Sequence, residues 1–130
     1  MFRVKLLLFT LSISFVACTS NEPEGNEISP EILQGHWDLV SAKRNGQATE
    51  TLNTTFFEFH SEGKMISNLA GSREEIQYEL SGNILKQLDG RMPADYEILE
   101  INDSLLHVTM VLREIPFDLH FRKVSSENLN

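Results

Sequence analysis

Between residues 36 and 124, apolar and polar side chains alternate with a period of two, the pattern of strands that bury one face. Residues 36–43 put Trp37, Leu39 and Ser41 on one side, and residues 54–60 do the same with Thr55, Phe57 and Phe59. A Ser61-Glu62-Gly63 turn leads into residues 64–69. In residues 75–80, Ile76, Tyr78 and Leu80 oppose Gln77 and Glu79, and Ser81-Gly82-Asn83 turns the chain into residues 84–88. Asp89-Gly90 opens a loop that contains Pro93. Residues 96–101 turn at Asn102-Asp103-Ser104 into residues 105–112, and Pro116 opens a last strand over 117–124 with Phe117, Leu119 and Phe121 on one face. Apolar residues fall on both parities in residues 84–88 and 98–101, so the inward face of those two strands stays open. Residues 45–53 (NGQATETLN) read as a polar loop, too long for a tight hairpin.

Eight short strands joined by turns leave no room for crossover helices. Such strands bury their apolar faces best by closing into an up-and-down antiparallel barrel, which also removes exposed edges. Ahead of the first strand, Ser29 suits an N-cap, Pro30 the first helical position and Gly35 a helix stop, so one helical turn is expected there. The expected architecture is an all-β, eight-stranded up-and-down barrel over residues 29–124, with one N-terminal helical turn.

The first 17 residues have a different character. Arg3 and Lys5 precede an apolar stretch over residues 6–16, far short of the ~20 residues that span a bilayer as a helix. A basic start and a short apolar run describe an export signal. Phe15 is bulky where ordinary signal cleavage after Ala17 would need a small side chain. Phe15-Val16-Ala17-Cys18 resembles instead the lipobox of bacterial lipoproteins, with Phe15 in place of the usual Leu. That resemblance implies a signal peptide over residues 1–17, removal of it, and lipidation (palmitate or a similar acyl chain) of Cys18 as the new N-terminus.

Cutting there changes the charge. Loss of Arg3 and Lys5 takes the 11 basic residues to 9 against 19 acidic ones, and the formal charge from −8 to −10. No basic run exists, so binding to nucleic acid or to anionic membrane through clustered Lys/Arg is not expected. Cys18 is the one cysteine; once it is lipidated no disulfide can form, and packing alone must hold the domain. Residues 18–28 are polar and acidic, with Pro23 and Gly25, and read as a flexible tether. Acidic residues soon after the cysteine resemble the signals that send lipoproteins outward in Bacteroidetes-type bacteria, which implies the outer membrane of the cell envelope rather than the inner. Residues 125–130 form a short polar tail.

Four segments carry a second resemblance. Leu33-Gln34-Gly35-His36-Trp37-Asp38-Leu39-Val40 matches the L-x-G-x-W-x-L-V opening of lipocalin-like domains. Phe57 to Lys64 resembles the family's hydrophobic-x-Phe-x-x-x-Gly hairpin, Tyr78 to Leu85 its Tyr-x-Leu-x-Gly-Asn-x-Leu hairpin, and Tyr96-Glu97-Ile98 with Leu105 and Leu106 the next. In order and spacing they resemble the small lipocalin-like lipoproteins of Bacteroidetes-type bacteria. The resemblance implies that Trp37 closes one barrel end under a basic residue from the last strand, for which Arg122 and Lys123 are the candidates. It also implies that residues 45–53 form a lid at the open end, with Thr51 and Leu52 near the mouth. The domain is near ninety residues, shorter than full lipocalins, and eight-stranded barrels can be either filled or ligand-holding.

Candidate chemistry is sparse. A closed barrel makes the first and last strands neighbours, which would let outward-facing His36 and Asp38 meet Asp118 and His120; the bland alternative is four solvated residues, and no metal is assigned. His60 and His107 are the other histidines. No nucleophile elbow, His-Glu-x-x-His or phosphate loop occurs, so no enzyme activity, catalytic residue or cofactor is expected. Trp37, Phe57, Phe59, Met65, Tyr78, Met110, Phe117 and Phe121 face inward and either line an apolar pocket or form a packed core. Asp103-Ser104-Leu105 resembles the Asp-Ser/Thr-hydrophobic O-glycosylation site of Bacteroidetes-type bacteria. The reading that results is a lipid-anchored barrel that binds a small apolar or amphipathic molecule. The alternative is a solid barrel that meets a protein partner of unspecified identity.

Overall fold

The computed structural model describes residues 28–125; the signal segment, Cys18, all but the end of the tether and the last five residues lie outside the described residues. One short helix, α1 (Pro30–Leu33), precedes nine strands: β1 (Gly35–Arg44), β2 (Gln47–Thr49), β3 (Phe56–His60), β4 (Lys64–Ser67), β5 (Glu74–Ser81), β6 (Ile84–Gln87), β7 (Asp95–Ile101), β8 (Leu105–Leu112) and β9 (Ile115–Val124). β1 and β3 to β9 pair antiparallel in sequence order, and β1 also pairs with β9. The sheet therefore closes into an eight-stranded up-and-down barrel. β2 is a short flap added to the far half of β1, where Lys43 lies opposite Ala48.

That flap corrects the expected loop over residues 45–53. Asn45 (φ 51°) and Gly46 (φ 79°) both adopt positive φ and join Arg44 to its cross-strand partner Gln47. Asn-Gly is the preferred pair for such a two-residue turn, whose twist matches that of the strands it joins. A third of the supposed lid is thus strand. The turn at residues 51–54 follows, and Leu52 packs against the core.

Two bulges revise the faces. In β1 the register with β9 shifts between Leu39, opposite Phe121, and Ser41, opposite His120. Val40 is the extra residue, so Ala42 rather than Ser41 turns inward, and Ser41 is exposed. In β7 the shift falls between Ile98 and Glu100. Leu99 is left outside, which explains why apolar residues there occupy both parities. In β6, Leu85 and Gln87 face in and Leu88 beyond it faces out.

One end of the barrel is plugged. Buried Trp37 lies beside Phe57 of β3 and Lys123 of β9, and its indole N–H donates to the Leu33 carbonyl at 2.8 Å. Leu33 is itself buried, so α1 forms the cap. Of the two candidate cations it is Lys123 that covers the indole, with Nζ 5.3 Å from the ring centroid. Strand alternation explains the choice, because Lys123 shares the inward parity of Phe121 and Arg122 does not. Gly35 makes this arrangement sterically feasible. Its φ is +125°, and a Cβ there would stand 2.8 Å from Lys123 Cε.

Candidate functional site

Six of the eight inward residues singled out from the sequence belong to one packed cluster that runs from the plugged end into the middle of the barrel. Phe57 stacks on Phe121 at 4.6 Å between centroids and meets Tyr96 edge-on at 5.2 Å. Phe59 meets Tyr78 edge-on at 5.4 Å. Trp37 and Met65 are fully buried in the same cluster. Rings at these separations form favourable aromatic pairs and fill the centre with side chains. Phe59 also borders a polar hollow of about 720 Å³ at the plugged end, beside His36, Glu58 and Lys123.

The remaining two, Met110 and Phe117, lie at the opposite end. There β7 and β8 part company. Their pairing runs from Ile101 opposite Leu106 only as far as Glu97 opposite Thr109, while β8 continues to Leu112 against β9. The two-residue turn Arg113-Glu114, again at positive φ, carries the β8–β9 hairpin past the neighbouring strand. Between that hairpin and the start of β7 opens a cleft of about 920 Å³. Met110, Phe117, Pro93, Ala94 and Val111 supply apolar surface, and Gly46 of the β1–β2 turn reaches its edge. Sites of 300–1,000 Å³ with apolar walls and a few polar groups are the usual form of small-molecule pockets.

The polar part of the wall is mainly acidic: Asp95, Glu97 and Asp118 against Lys43. Below it, the floor is held by Gln87, whose amide donates to the carbonyls of Asp89 (2.9 Å) and Met92 (3.1 Å). The Tyr96 hydroxyl donates to Gln87 Oε1 at 3.4 Å. Burial, with a smaller contribution from Glu74, raises the Tyr96 phenol far above its ordinary value, and burial alone raises Tyr78. Both stay protonated. This buried Gln87–Tyr96 contact had no distinctive signal in the sequence beyond the inward parity of Tyr96.

The histidines do not gather as the first-and-last-strand argument expected. His36 lies opposite Val124, whereas Asp118 lies opposite Lys43, near the other end of the same strand pair. His36 instead contacts Asp38 at 2.8 Å and stacks on Phe56, and His60 contacts Glu58 at 3.3 Å. His107, missing from that expected set, stands opposite His120 and reaches Asp118. Hairpin counting could have found it, since a two-residue turn at 113–114 pairs 107 with 120. Ser104 lies in an exposed turn, where its hydroxyl donates to Asn102 Oδ1 at 3.1 Å.

No protein-family model matches the chain, and no curated protein matches it. Solved structures do. A lipocalin-like protein from Bacteroides uniformis superposes with a TM-score of 0.52 at 16% identity, covering 72% of this chain and 99% of that one. The fold is lipocalin-like. An uncharacterized protein from Bacteroides eggerthii gives a TM-score of 0.53 at 14% identity, over 71% of this chain and 99% of that one. At these identities the likeness concerns the barrel and nothing further.

Proposed function

We propose that this protein binds a small apolar or amphipathic molecule in the cleft between β7 and the β8–β9 hairpin, without catalysis, while tethered to the cell envelope through lipidated Cys18. The observation that carries the reading is the cleft itself: the barrel wall opens beside Met110 and Phe117 although its centre is packed. The lipocalin-like fold supports it, and the lipobox-like Phe15 to Cys18 supports the anchor. Three carboxylates against one lysine on the wall favour a ligand whose polar end is neutral or cationic over an anionic one. The packed centre favours a second reading, an interaction module that uses the same end of the barrel to meet a protein.

A displacement assay tests the proposal. An apolar dye bound to the protein is titrated with a primary alkylamine, an alkanol and a fatty acid of equal chain length. The amine and alkanol are expected to displace the dye and the fatty acid to do so least. Phe117→Asn removes roughly 55 Å² of apolar contact, about 1.4 kcal/mol, and is expected to weaken binding tenfold. Val40→Asn, at an exposed position away from the cleft, is expected to change nothing. Equal losses in both variants, or no displacement by any of the three, would leave the interaction module as the better account. Trp37 fluorescence is a poor reporter, because Lys123 beside it and Phe117 in the cleft are six residues apart on β9, about 20 Å at ~3.3 Å per residue.

A further inference from the structure

We propose that His107, His120 and Asp118 form a site for one divalent transition-metal ion of the zinc class on the outer wall of the β8–β9 hairpin. The turn at Arg113-Glu114 sets the register that puts His107 directly opposite His120, and Asp118 precedes His120 by two residues on the same outward face. Asp118 Oδ1 lies 2.6 Å from His107 Nε2 and 3.0 Å from His120 Nε2. The two imidazoles stack at 3.9 Å between centroids, tilted by 17°. One ligand atom from each residue lies within 4.8 Å of the other two.

Zinc binds His nitrogen and carboxylate oxygen at roughly 2.0–2.2 Å, and a tetrahedral ion so bound spaces its ligand atoms about 3.3 Å apart. The present contacts to Asp118, 2.6 and 3.0 Å, are shorter than that, so the ion would enter as the imidazoles rotate away from the carboxylate. The backbone that carries them is braced: β8 is paired on both sides by β7 and β9, and β9 by β8 and β1. Ligands carried on interior strands are held in place before the ion arrives. The donor set itself selects the ion class. Two imidazoles and one carboxylate suit zinc and its neighbours, whereas calcium takes six to eight oxygens. Glu100, opposite His107 on β7, adds negative charge close by. The second histidine group, around His36 and His60, does not bring three ligand atoms together in this way, and among the described residues the β8–β9 cluster alone does.

Three protein ligands leave a position for solvent, and Asp118 also borders the cleft. The two sites share that side chain, so the metal titration is made with no cleft ligand added and its readouts report the ion alone.

Zn²⁺ is titrated calorimetrically into the full chain, with Cys18→Ser in every sample to remove the competing thiol, and Co²⁺ is followed by its visible absorption. The expected result is one Zn²⁺ per chain at micromolar strength, tetrahedral-type Co²⁺ bands, and a Tm that rises with Zn²⁺. His107→Gln, His120→Gln and Asp118→Asn should each weaken binding at least tenfold and abolish the Tm rise, with His60→Gln unchanged. Absence of Zn²⁺ binding to the parent chain would overturn the proposal. So would unchanged affinity in the His107→Gln and His120→Gln variants, or an equal loss in His60→Gln, either of which would leave the cluster a hydrogen-bonded contact across the hairpin. Should a variant fail to fold, the parent chain's Co²⁺ spectrum and Zn²⁺-dependent Tm still decide.

Discussion

Trp37→Ala is expected to destabilise the domain by about 3–5 kcal/mol, the cost of truncating a buried aromatic to alanine. Folded domains are stable by roughly 5–15 kcal/mol, so a large share of that margin would go. The indole is fully buried, donates to the Leu33 carbonyl that ends α1, and lies under Lys123, so its loss opens a cavity and uncaps the barrel end together. At about 4–8 °C per kcal/mol for a domain of this size, the midpoint should fall by more than 10 °C in a thermal melt followed by circular dichroism. Gly35→Ala attacks the same plug more gently. Its backbone conformation is strained for any L side chain and its Cβ meets Lys123, so a loss of about 1–3 kcal/mol is expected. A Trp37→Ala midpoint within a few degrees of the parent would mean that the plug contributes little.

Cys18→Ser is expected to move the protein entirely from the membrane fraction to the soluble fraction of its host and to leave the precursor uncut. The anchor proposed here is made of acyl chains alone. Each buried CH₂ contributes about 0.8 kcal/mol, and stable attachment generally takes more than one chain or signal. Among the described residues no helix is long and apolar enough to cross a membrane, so nothing found there would substitute as a helical span. Fractionation and immunoblotting of both forms make the comparison. A variant that still sediments with membranes and is processed normally would remove the lipoprotein reading.

The barrel was legible because period-two alternation survives in six of the eight wall strands and the turns carry Gly, Asn and Asp. Closure followed from the absence of helices long enough to cover a sheet. What escaped were single inserted residues. Val40 and Leu99 are apolar bulge residues that point outward, and nothing in their identity distinguishes them from core residues. Each shifts every later pairing by one position. The His36–Asp118 juxtaposition fails for a related reason: it needed the registry of two strands eighty residues apart, which no local pattern encodes. The Asn45-Gly46 turn, by contrast, carries a strong local signal, and the polar run after it is what resembles a loop. The cleft was hardest to foresee. It arises where β8 outruns its pairing with β7, a mismatch of strand lengths visible only once both registers are known. Met110 and Phe117 were nevertheless among the inward residues singled out, because parity alone places them on the lumen side.

The most direct test of the cleft is methyl NMR of the protein labelled at its four methionines, titrated with the best displacing amine or alkanol. Met110 lines the cleft, whereas Met65 is buried in the packed centre against Ile76 and Phe59. The account predicts a saturable shift of the Met110 methyl signal while that of Met65 stays in place. A saturable shift of Met65 with Met110 unmoved would place the ligand inside the barrel, and the absence of any shift at either would contradict small-molecule binding by this fold.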